Sequence, residues 1–92
     1  MKTKAFNPAN YLDDEEAVEG YLQEAFETGD TAFIADALGV VSRARGMTEV
    51  SNLTGLSRES LYKSLSEKGN PELGTILKVM SSLGLKLSVT HV

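Results

Sequence analysis

The side chains best equipped to meet a partner lie together in the second half of the chain: Ser57, Arg58, Glu59, Ser60, Tyr62 and Lys63. Two cations, a phenol and two hydroxyls in one short stretch suit a nucleic acid. An arginine can fork onto a guanine edge, and a glutamate can accept from cytosine. Tyr62, Lys63 and the hydroxyls of Ser57 and Ser60 suit phosphate or mixed contacts. Such groups act only if a helix holds them outward in a fixed register.

The run Met47–Ser66 has the spacing to do this. Thr48 can cap a short helix with Val50 and Leu53 inward, and Ser51 is small enough for a close helix crossing. Gly55 can take the left-handed conformation that a tight inter-helix turn needs. Leu56 would plug that turn into the core. Ser57 would cap a second helix, about Arg58–Ser66, anchored by Leu61 and Leu65. In a helix-turn-helix the second helix enters the major groove, and its N-terminal residues meet base edges. From spacing alone, the same pattern also fits a solvated face on a small helical bundle.

The remaining elements read as supports. Asp13 or Asp14 starts a first helix, with Glu16 placed to complete a capping box. Its apolar positions are Ala17, Tyr21, Leu22 and Ala25, and Gly29 is its stop. Asp30 caps a second helix to Arg45, with Ile34, Leu38 and Val41 on one face, widened by Ala37 and Ala44. Asn70-Pro71 reads as a cap with proline in the first helical position. The helix it opens carries Leu73, Ile76, Leu77 and Met80 at i, i+3, i+4, i+7 and ends at Gly84. Residues 85–92 alternate apolar and polar, with Leu85, Leu87 and Val89 on one side, which predicts a strand. That strand has three candidate mates: the region Lys4–Phe6, its own copy across a two-fold axis, or a strand of a partner.

The expected fold is therefore all-α. Residues 1–12 form an extended lead-in with Phe6 and Tyr11 as anchors, 13–84 the helical domain with its motif at about 47–66, and 85–92 the C-terminal strand.

Composition narrows the chemistry. The 92 residues contain no cysteine, which excludes thiolate metal sites, disulfides and cysteine catalysis. The single histidine, His91, is a weak ligand or base by itself. No positioned nucleophile can be read, so the chain is not expected to be an enzyme or to need a cofactor. No apolar run approaches the roughly 18 residues of a membrane span. No apolar stretch follows the basic start Met1–Lys4, so a cytoplasmic home is expected.

The net charge is −4, which argues against strong non-specific DNA binding. The charge is unevenly spread: residues 1–46 hold four Lys/Arg and nine Asp/Glu, and residues 47–92 hold five and four. The acids Asp13, Asp14, Glu15, Glu16, Glu19, Glu24 and Glu27 suit either a solvated first helix or contact with a basic partner.

Several stretches resemble the addiction-module antidote proteins, helix-turn-helix antitoxins of the Xre type. They are Phe6-Asn7-Pro8-Ala9-Asn10-Tyr11-Leu12, Gly29-Asp30, Val41-Ser42-Arg43-Ala44-Arg45-Gly46-Met47, Gly55-Leu56-Ser57-Arg58-Glu59-Ser60-Leu61-Tyr62-Lys63, Gly69-Asn70-Pro71, and Leu77-Lys78-Val79 through Leu83-Gly84-Leu85. They occur in order across nearly the whole chain. Ser64 departs from the general helix-turn-helix pattern, which has a bulky apolar residue there; the adjacent Leu65 can supply that packing.

The resemblance implies a five-helix, lambda-repressor-like helix-turn-helix domain. It implies an antitoxin of a type II toxin–antitoxin module that binds and neutralises a RelE/ParE-like toxin. It also implies a homodimer that represses its own operon on double-stranded operator DNA. Two other readings remain: a stand-alone transcriptional regulator, and a protein-interaction module without useful DNA affinity.

Overall fold

The computed structural model describes residues 14–92. The lead-in expected over 1–12 and the alternative cap at Asp13 lie outside the described residues. Five helices follow in order among the described residues: α1 (Glu15–Glu27), α2 (Thr31–Arg45), α3 (Met47–Thr54), α4 (Arg58–Ser64) and α5 (Leu73–Ser82).

Local chemistry explains most of the boundaries. The Asp14 carboxylate accepts from the Glu16 N–H at 3.2 Å and starts α1. Gly29, at φ 66°, turns the chain after it. The Asp30 carboxylate then accepts from the N–H groups of Ala32 and Phe33, at 3.0 and 3.3 Å. This satisfies two donors that a helix start leaves unpaired.

Gly46 caps both the end of α2 and the start of α3. At φ 115° it reverses the chain within one residue, donating to the Ser42 carbonyl while its own carbonyl accepts from Val50. Thr48 therefore lies inside α3 rather than capping it. Similarly, α5 begins at Leu73 behind an extended Glu72 that makes no side-chain cap. Asn70-Pro71 precedes the helix instead of opening it.

The core is built around α2, which packs on α1, α3 and α4, while α3 also packs on α4 and α5. Val18, Leu22 and Ala25 of α1 meet Leu38 and Val41 of α2; Met47, Val50, Leu61, Leu65, Val79, Met80 and Leu83 complete the cluster. The apolar stripes are wider than the faces that become buried. Ala44 is exposed at the end of α2. Leu53, expected inside, is 61% exposed; Leu73 and Leu77 are 64% and 46% exposed. In α5 the buried arc runs through Ile76, Val79, Met80 and Leu83, so the helix is rolled away from the stripe read in the sequence.

The C-terminal strand is corrected as well. Residues 85–92 form no β-ladder, because no neighbouring strand is present among the described residues to pair with. The Leu85 N–H donates to the Met80 carbonyl at 2.9 Å. Leu85 and Leu87 settle against the helical core, while Val89 is fully exposed.

Candidate nucleic-acid interface

The turn between α3 and α4 is held from within. Gly55 adopts φ 76° and its N–H donates to the Ser51 carbonyl at 2.9 Å. The Ser51 hydroxyl donates to the Leu56 carbonyl. The Thr54 hydroxyl donates to the Val50 carbonyl at 2.8 Å and accepts from the Leu56 N–H at 3.2 Å. Ser51 thus has a second role beside its small size: it ties the end of α3 to the turn. Leu56 is half-buried against the core.

The Ser57 backbone is extended, and its hydroxyl oxygen accepts from the Ser60 N–H at 3.0 Å. This cap commits the oxygen of Ser57 as an acceptor and leaves its O–H free to donate outward.

All six candidate residues, Ser57, Arg58, Glu59, Ser60, Tyr62 and Lys63, are exposed. Beneath them Leu61 and Leu65 are completely buried. The Arg58 guanidinium lies over the Tyr62 ring, 5.9 Å from its centroid, an i, i+4 pair that restrains both side chains. The result is an exposed ridge carrying a stacked cation, a second cation, a carboxylate and two hydroxyls on a short helix anchored in the core.

The helix ends at Ser64, two residues before the expected Ser66. Leu65 leaves helical geometry, at φ −96° and ψ 61°, yet stays fully buried. Ser64 contributes a buried Oγ with no hydrogen-bond partner. The apolar anchor at the end of α4 is therefore Leu65, as the departure at Ser64 suggested.

One positioning residue was not evident in the sequence. Gly39 lies in the middle of α2, where glycine is a poor helix former. A Cβ there would press into the Leu65 carbonyl, whose carbon lies only 3.2 Å from that position, and would stand 3.1 Å from the Arg43 guanidinium. The missing side chain lets the end of α4 sit directly on α2. A mid-helix glycine was the available signal, but only the tertiary structure shows what approaches it.

On α1, Asp14, Glu15, Glu16, Glu19, Glu24 and Glu27 are all exposed. Half-buried Tyr21 faces the other way; burial, together with the nearby Asp36 carboxylate, raises its pKa, and the Arg43 charge partly offsets this. His91 is exposed. No group of three or more His, Asp or Glu placed to hold a metal occurs among the described residues. No helix among them is long and apolar enough to cross a membrane.

These features define a small all-helical protein that presents one short polar helix over a shared core. Residues 2–91 match the family of probable addiction module antidote proteins, and the chain belongs to that family. It is 42% identical over 86 residues to a protein of Haemophilus influenzae named only as uncharacterized, an alignment covering 94% of this chain and 89% of that protein. No solved structure matches the chain.

Proposed function

We propose that the protein is the antitoxin of a type II toxin–antitoxin module and that α3, the turn and α4 act as a helix-turn-helix of the lambda-repressor-like, Xre type. The observation that carries the DNA half is the exposure of all six α4 candidates above a fully buried Leu61 and Leu65. In this reading a homodimer sets one α4 in each half-site of its own operator. Arg58 and Glu59 read base edges, while Ser57, Ser60, Tyr62 and Lys63 hold phosphates. Membership of the antidote family supports a toxin partner. We assign that partner to the basic RelE/ParE-like class, with the exposed acids of α1 aiding encounter. The protein acts by binding, without catalysis, in the cytoplasm.

Fluorescence anisotropy with the promoter DNA upstream of the gene tests the DNA half. Specific binding should appear at physiological salt. Arg58→Ala should weaken it by about 1–3 kcal/mol and relax specificity at one position. Equal affinity for scrambled DNA overturns the reading.

The net charge of −4 favours a second reading, a protein-interaction module without useful DNA affinity. There Arg58→Ala and Lys63→Ala leave every function intact, and toxin capture is the sole activity. A stand-alone regulator is set apart by its neighbourhood, since no small basic protein would be encoded beside it.

A further inference from the structure

We infer that Gly69 is a second positioning residue for α4: by carrying no side chain it lets the loop after α4 close over the last carbonyls of that helix and fix the tilt of the ridge. The inference rests on the operator-binding reading for the use made of that tilt and on the structure for the contact itself. Gly69 belongs to the run Gly69-Asn70-Pro71, and α5 begins instead behind Glu72, so helix initiation does not account for it. Nor does backbone conformation, because the glycines at positive φ are Gly29, Gly46, Gly55 and Gly84. What the position demands is space. A Cβ on Gly69 would press into the Ser64 carbonyl oxygen, and would stand 2.5 Å from the Ser64 carbonyl carbon and 2.6 Å from the Lys63 carbonyl oxygen. All three atoms are backbone, so no side-chain rotation relieves the overlap.

Gly39 of α2 admits the Leu65 carbonyl in the same way. Three consecutive carbonyls, those of Lys63, Ser64 and Leu65, are therefore faced by glycines from two separate elements. A helix end leaves its last carbonyls without intrahelical donors. Here the Ser66 hydroxyl donates to the Lys63 carbonyl at 3.2 Å, and the Gly69 N–H donates to the Ser66 carbonyl at 2.9 Å, which folds the loop back onto the helix. The buried Ser64 Oγ shows how closely this end is covered. The consequence for recognition follows from the shortness of α4, which has seven residues and so spans about 10 Å. To reach ordinary contact at 3.4 Å, the Ser64 and Lys63 carbonyls must withdraw from a methyl on residue 69 by about 0.8 Å or more. A binding constellation tolerates about 0.5 Å. Lys63 lies on the displaced turn, while Arg58 and Glu59 lie at the other end of the same helix. The displacement thus moves Lys63 and changes the angle at which Arg58 and Glu59 meet base edges.

Fluorescence anisotropy of Gly69→Ala on the promoter DNA and on a scrambled duplex of equal length tests this, with circular dichroism reporting the folded fraction. Affinity for the promoter should fall by about tenfold, the size of one base contact. Affinity for the scrambled duplex, carried by cations that remain on the surface, should change by less than about twofold. A residue that only supported stability would lower both in proportion to the folded fraction, and that result overturns the inference. Gly20→Ala, at an open mid-helix position, should leave both affinities unchanged. If Gly69→Ala does not fold, Ser66→Ala takes its place. It removes one hydrogen bond to the Lys63 carbonyl without adding bulk and should lower the promoter-to-scrambled ratio by about two- to threefold; an unchanged ratio overturns the inference. Amide NMR spectra of the free protein read the seating of the helix without DNA. Gly69→Ala should shift the amides of Arg58–Lys63 as well as those of the loop, and shifts confined to residues 65–72 overturn the inference. A wild type that binds promoter and scrambled DNA equally refutes the operator reading, and the α4 amides then still decide whether Gly69 seats the helix.

Discussion

Replacing Gly39 with alanine should destabilise this protein, against the usual expectation for a mid-helix glycine. Considered locally, the change gains up to ~1 kcal/mol of helix propensity. The new methyl, however, would overlap the Leu65 carbonyl, whose carbon is 3.2 Å from the Cβ position. The obstacle is backbone at the end of α4, and no flexible side chain can swing aside. Overpacking of this kind costs about 1–3 kcal/mol; with rigid backbone as the obstacle, the upper half applies. The expected net loss is about 1–2 kcal/mol, or roughly 5–15 °C in melting temperature for a domain of this size.

Gly20→Ala is the matched control. It is also mid-helix, on α1, but nothing lies within 4 Å of its Cβ position, so it should raise the melting temperature by up to about 8 °C. Thermal melts followed by circular dichroism read both signs. A Gly39→Ala protein as stable as the wild type, or more so, would refute the close approach of α2 and α4. Because Leu65 is the C-cap of α4, the strain should also displace the ridge. Operator affinity should then fall more than the small unfolded fraction can explain.

Three further outcomes follow from individual groups. Ser57→Ala removes the cap on the Ser60 N–H and should lower stability in urea denaturation by about 0.5–2 kcal/mol. Ser42 is fully buried and its hydroxyl has no partner, so Ser42→Ala should raise the urea midpoint, by about 1 kcal/mol in free energy. Tyr21 has its pKa raised above 10.0, mainly by burial and then by Asp36. Its contribution is complete below the unfolded value and is lost as pH rises through the folded value. Between neutral pH and about pH 11, Tyr21→Phe should therefore lose less stability than the wild type.

What could be read from the residues was what neighbours in sequence decide. Asp30, Gly29, Gly55 and Ser57 each act within four residues of themselves, and each does in the structure what its type predicts. Where two residues close together in sequence could both begin a helix, sequence chose wrongly. Thr48 and Asn70 are competent caps, but Gly46 had already turned the chain and Glu72 supplied the extended residue. The apolar stripes located the helices but not their roll. Leu53, Leu73 and Leu77 satisfy the periodicity yet face outward, because periodicity does not determine how wide an arc the neighbours cover. The tail had the pattern of a strand, but the pattern cannot create a partner strand, so Leu85 and Leu87 found the helical core instead. The members of the α4 ridge were legible by type, and Leu61 and Leu65 as their anchors. The contact of Gly39 with Leu65, which seats that ridge, joins positions far apart in sequence, and its one local trace, a glycine in mid-helix, does not say what approaches it.

The acidity of the chain bears on how the ridge can work. The acids of α1 join the body of the molecule through α2, whereas α4 packs on α2 and α3. Exposed charges are screened over about one Debye length, ~8 Å at physiological ionic strength, so the acids act on long-range attraction to DNA more than on contacts made at the ridge. Of the two cations on each α4, Arg58 is assigned to a base edge and Lys63 to phosphate, so a dimer brings two phosphate-neutralising lysines. The expected slope of log affinity against log salt is about −2. Such a protein should depend on base contacts and on pairing more than on bulk electrostatics. Titrating the operator complex over about 50–200 mM salt measures that slope. A value much steeper would mean that cations outside α4 carry the binding, and the assignment of the interface to this helix would fail.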